Sequence, residues 1–127
     1  MRILFLTLAC LCVMLISPRA MTDSSNKYSV HGQGTQSCAA YVEARGTRGG
    51  FVETAMVAWI GGFITATNYE LKDTYDVIGS ADLSGALGWL ENYCRANPTV
   101  SLANGTVAMV EFLLPQRQRT AHAQPLR

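Results

Sequence analysis

Hydrophobic and polar positions along the chain fall into four stretches with helical spacing, separated by polar or glycine-rich connections. Cys38, Tyr41 and Val42 stand at i, i+3 and i+4, one face of a short helix. Ser37 or Thr35 offers its cap and Gly46 its stop, and the following GTRGG, Gly46 to Gly50, reads as a turn. A second helix is predicted from Phe51 to Tyr69, with Phe51, Ala55, Ala58, Trp59, Gly62, Phe63 and Ala66 on one face. No charge occurs from Thr54 to Tyr69, which predicts a helix surrounded by protein. Gly61 and Gly62 each cost about 1 kcal/mol relative to Ala inside a helix. A second backbone crossing closely at that point is the expected compensation.

Residues Glu70 to Ser80 carry four charges and no clean period, so an exposed connection is expected. Ala81-Asp82 then offers a cap, and Leu83, Ala86, Leu87, Leu90, Tyr93 and Cys94 follow in the most regular apolar stripe of the chain. That stripe must stop at Asn97-Pro98, because proline pushes the residue before it out of the helical region. Asn97 or Thr99 is the expected cap of a fourth helix, from about Thr99 to Leu114, carrying Leu102, Ala103, Val107, Val110, Phe112 and Leu113. Pro115 marks its end. No strand pattern is present, and a short pairing of the connecting loops is the most β-structure expected.

The ends read differently. Residues 1–20 begin with Arg2, run apolar from Ile3 to Ile16 and break at Ser17-Pro18, the profile of a cleavable secretory signal peptide. The apolar run is shorter than the roughly 20 residues a spanning helix needs, so no stable membrane span is expected after processing. Cys10 and Cys12 lack a convincing lipobox. Residues 21–35, rich in Ser, Thr, Asn, Gly and Gln, read as a flexible leader, and residues 115–127 as a disordered tail. The expected architecture is therefore all-α, a small four-helix domain over residues 36–114.

Removing Arg2 and Arg19 from the ten Lys and Arg leaves eight against nine Asp and Glu, a charge near −1. So balanced a chain gives no electrostatic reason to bind nucleic acid or anionic lipid. Of the four cysteines two remain, Cys38 and Cys94, and in an oxidising compartment an even pair predicts a structural disulfide. It would close a loop of about 57 residues and stabilise by roughly 4 kcal/mol on the chain-entropy model.

Candidates for catalysis are sparse. His31 falls in the leader and His122 in the tail, so neither has a rigid scaffold to aim it at a nucleophile. The carboxylates, including Glu43, Glu53, Asp73, Asp76, Glu91 and Glu111, are expected on solvated faces, and Asp73 and Asp76 lack calcium-loop spacing. No metal or other cofactor is expected. Asn104-Gly105-Thr106 matches a glycosylation sequon inside a predicted helix. The aromatic anchors Trp59 and Trp89 are the candidate binding residues, each on or beside an apolar face.

Three segments together support a resemblance: Gln36-Ser37-Cys38-Ala39-Ala40-Tyr41, the Trp59 to Phe63 run, and Leu90-Glu91-Asn92-Tyr93-Cys94-Arg95-Ala96-Asn97-Pro98. With the signal peptide they make the chain resemble the Hde-type acid-stress chaperones of the bacterial periplasm. It also resembles the Tai-type immunity proteins, small periplasmic helical proteins that neutralise secreted cell-wall hydrolases. The first resemblance implies a non-enzymatic periplasmic protein that stays folded near neutral pH and loosens in acid to hold other unfolded proteins. Protonating nine carboxylates would carry the charge from near −1 to near +10, and self-repulsion opposes compactness. The second implies tight binding of one partner.

Overall fold

Side-chain caps explain where three of the four helices start. In the computed structural model, which describes residue 25 and residues 27–121, α1 (Cys38–Gly46) begins where the Ser37 side chain accepts the Ala40 N–H. Asp82 accepts the Gly85 N–H at the start of α3 (Leu83–Ala96), and Ser101 the Asn104 N–H at the start of α4 (Leu102–Leu113). A hydroxyl or carboxylate at this position satisfies a donor with no intrahelical partner. The longest helix, α2 (Phe51–Glu70), starts without a side-chain cap. Residues 1–24, residue 26 and residues 122–127 lie outside the described residues, and with them the signal-peptide expectation, Cys10, Cys12 and His122.

The helices enclose one core of Tyr41, Met56, Ile60, Leu90, Leu102 and Met109, all essentially buried. Each such aliphatic side chain contributes roughly 1.5–3 kcal/mol. Cys38 and Cys94 are joined in a disulfide with their Cα atoms 4.7 Å apart, and both residues are fully buried. Gly105 of α4 packs on this bridge, where an added Cβ would crowd Leu90 and both sulfurs at 3.1–3.5 Å. Backbone bonds from Cys38 N to Val100 O and from Leu102 N to Gln36 O, each 2.7 Å, hold the starts of α1 and α4 together. The all-α class and the Cys38 to Cys94 bridge thus match expectation, and the β-structure among the described residues is two isolated bridges, Ser37 with Ser101 and Asp76 with Gln118.

Several expectations are corrected. The helix predicted from Thr99 starts at Leu102, because Ser101 and not Asn97 or Thr99 provides the cap. The stripe predicted for α2 is not its buried row: that row is Glu53, Met56, Ile60 and Ile64, whereas Phe51 is 88% exposed and Trp59 and Phe63 are half-buried against the core. Gly61 and Gly62 meet no backbone, and a Cβ at either would find nothing within 4 Å. The helix is therefore not surrounded by protein, and its lack of charge has another cause. The connection after α2 is not simply exposed, since Val77 and Ile78 are buried in the core.

Parts of the leader and tail are ordered. Gly32–Thr35 forms a 3-10 turn with Gly34 buried, pinned by a hydrogen bond from Trp59 Nε1 to His31 O at 2.9 Å. Leu114–Gln116 continues α4 as a second 3-10 turn, and Gln118 O accepts the amides of Tyr75 and Asp76. Gly79 makes that docking feasible. Its φ of +62° is a left-handed conformation suited to glycine, and a Cβ there would overlap the Gln116 carbonyl.

A Cβ on Gly34 would overlap the Trp59 ring. Gly34→Ala is therefore expected to lift the 3-10 turn from α2 at a cost of about 1–3 kcal/mol. Trp59 would become wetter and the tryptophan emission would shift to the red. Unchanged emission and melting temperature would show that the turn contributes nothing to the packing.

Candidate functional site

Arg45, near the end of α1, joins three helices through its guanidinium. Its Nη1 donates to Glu53 Oε1 of α2 at 2.6 Å and its Nε to Glu91 Oε2 of α3 at 3.3 Å. The three side chains are only 10–17% exposed. Glu53 also accepts the Gly49 N–H at 3.1 Å, and Glu91 accepts Nη2 of the exposed Arg95 at 2.6 Å. This hub sits over Tyr41, whose buried hydroxyl donates to Leu87 O at 3.3 Å.

The surroundings tune each group. The Gly49 amide, with the guanidinium of Arg45 next in weight, holds the Glu53 carboxyl below its usual range. Hydrogen bonding from Arg95 and then Arg45 does the same for Glu91, against an opposing effect of burial. The carboxylates in turn raise the Arg45 pKa despite its partial burial. Burial pushes the Tyr41 hydroxyl up to about 12. At neutral pH the hub is thus one positive charge clamped between two negative ones, with Arg95 outside.

The candidate binding residues lie in separate clusters. Trp59 is half-buried, stacked on Phe63 with ring centroids 5.7 Å apart and covered by the Gly32–Thr35 turn. It is an internal anchor. Trp89 stacks between Tyr93 at 5.5 Å and Phe112 at 5.0 Å, and Phe112 is 54% exposed. This second cluster forms an aromatic ridge across α3 and α4. Of the site residues predicted from sequence, Cys38 and Cys94 are the pair that the fold brings together, as the disulfide.

No group of three or more His, Cys, Asp or Glu among the described residues is placed to hold a metal ion. His31 is exposed and reaches Ser29 Oγ at 3.1 Å, and no carboxylate among the described residues is bonded to its ring. In the sequon, Thr106 is buried and its hydroxyl donates to Leu102 O, while Asn104 is exposed. An open cleft of about 620 Å³ lies beside the hub, lined by residues including Gln36, Ala40, Glu43, Phe51 and Met56. No helix of the described residues is long and apolar enough to cross a membrane.

The hub is what the sequence reading missed. Glu53 precedes Met56, Ile60 and Ile64 at helical spacing and so belongs to the same row, and Arg45 follows Tyr41 by one turn. Charges in register with apolar rows were the available signal. Comparison with protein-family models, curated proteins and solved structures returns no match in any of the three.

Proposed function

We propose that this is an exported, non-enzymatic protein of Hde-like type, which holds other unfolded proteins after acid has loosened it. The observation that carries the reading is the Arg45–Glu53–Glu91 hub, which pins α2 against α1 and α3 through charges that acid removes. The disulfide supports it topologically. It joins α1 to α3, and α2 lies wholly within the loop between Cys38 and Cys94. Protonation of Glu53 and Glu91 leaves Arg45 without its carboxylate partners and lets α2 swing outward on a closed loop. Met56, Ile60 and Ile64 are then uncovered for a client, while the bridge limits further unfolding.

The test is a titration of the purified chain from pH 7 to 2, following near-UV circular dichroism, binding of an apolar dye and suppression of client aggregation. Loss of tertiary signal with simultaneous gain of dye binding and client protection is expected, below the ordinary carboxylate range. A rigid protein with no protection at any pH would end the proposal.

The ridge of Trp89, Tyr93 and Phe112 favours a second reading, an inhibitor or immunity-type protein for one partner, because its rings stack on one another in the folded domain with Phe112 54% exposed. Under that reading Phe112→Ala weakens a one-to-one complex at pH 7, and the wild-type chain shows no acid-dependent protection.

A further inference from the structure

Four residues of the stripe predicted for α2, Phe51, Ala55, Ala58 and Gly62, continue through Thr65 and Tyr69 on the outside of the helix, and this outer row has a symmetry of its own. Phe51, Ala55, Ala58, Gly62, Thr65 and Tyr69 follow one another at spacings of four, three, four, three and four residues. That is the seven-residue repeat of a helix-pairing seam. It runs opposite the buried row of Glu53, Met56, Ile60 and Ile64. Five of its six residues are exposed, with Ala55 partly so. The bulky rings stand at the two ends, Phe51 and Tyr69 being 88% and 87% exposed, and the middle holds only small side chains.

We propose that α2 pairs antiparallel with α2 of a second copy of this chain along this seam. The spacing reads the same in both directions about residue 60, so a two-fold axis there matches each residue with a counterpart. Phe51 meets Tyr69 of the second copy, Ala55 meets Thr65, and Ala58 meets Gly62. A two-fold interface requires this self-complementarity, in which residue i meets j and j meets i. The open space over Gly61 and Gly62 allows the axes to approach closely at the centre.

Charge does not oppose the pairing. None occurs between Glu53 and Glu70, and the exposed Arg48 before the seam falls opposite residues 70–73 of the second copy, where Glu70, Lys72 and Asp73 carry a net negative charge. Antiparallel pairing also sets the positive end of one helix dipole beside the negative end of the other. The area is small but sufficient. Two almost fully exposed rings supply on the order of 300 Å² per copy. With Val52 and the small residues of a helix about 30 Å long, each copy approaches about 600 Å², half of a minimal specific interface. The assembly stands independently of client holding.

Sedimentation equilibrium at pH 7, over about 10 to 300 μM to suit a weak interface, is the test, using the chain expressed from its full sequence and purified as the host processes it. A monomer–dimer equilibrium is expected, and Gly62→Glu should weaken it at least about tenfold with an unchanged far-UV spectrum. Phe51→Arg and Tyr69→Glu should each remain monomeric alone and associate when mixed, since the introduced guanidinium of one copy then faces the introduced carboxylate of the other. A wild-type monomer throughout, undiminished association of Gly62→Glu, or no recovery on mixing would each overturn the proposal.

Discussion

Cys94→Ala should melt about 20 °C below the wild-type chain in non-reducing buffer. The bridge spans 56 positions and is worth roughly 4 kcal/mol in unfolded-state entropy. For a domain of this size each kcal/mol moves the midpoint by about 4–8 °C. The substitution also leaves the Cys38 thiol alone beneath Gly105, in a site shaped by both sulfurs. Differential scanning calorimetry gives the answer directly. A midpoint within a few degrees of wild type would mean that α1, α3 and α4 hold together without the covalent link, and that the restraint invoked for the acid-opened state is dispensable.

Arg45→Met should cost on the order of 3 kcal/mol at pH 7, because it strands two shielded carboxylates. Its more informative effect is on pH dependence. In the wild type the native pKa values of Glu53 and Glu91 lie below their ordinary value of 4.5. The stability they contribute is therefore fully present above that value and is lost as pH falls through the lowered native ones. Without Arg45 both values rise, although the Gly49 amide still bonds Glu53 and Arg95 still bonds Glu91. The difference between variant and wild type should accordingly be large at pH 7 and narrow steadily below about pH 4.5. Urea unfolding at a series of pH values measures it. A constant difference would show that the hub does not sense acid and would remove the chief support for the proposed trigger.

The fold was largely legible in the sequence where one face of a helix is apolar and the other is not. In α3, the stripe through Ala86, Leu87, Leu90 and Cys94 points inward as its spacing predicts, and Asp82 caps it. In α2 the rule loses its contrast, because charge is lacking on every side between Glu53 and Glu70 and two stripes compete. The stripe through Phe51, Ala55 and Ala58 has helical spacing as good as its rival's, and the domain buries Met56, Ile60 and Ile64. The order in residues 115–118 could not be read from side chains at all. It comes from the Gln118 backbone pairing with Tyr75 and Asp76, and from the room left by Gly79. The hub was hidden for a related reason: an arginine and two glutamates counted singly resemble solvated charge, and only the approach of α1, α2 and α3 turns them into a cluster.

Both bridged cysteines are wholly shielded from solvent. A small thiol reagent must therefore wait for the molecule to open before it can attack either sulfur. The rate at which the native protein loses its bridge then counts openings, much as amide exchange does. In a strong reductant near neutral pH that rate becomes a stopwatch for rare excursions of the domain. It would report how often the wild-type chain visits its open form long before enough of that form accumulates for spectroscopy to see.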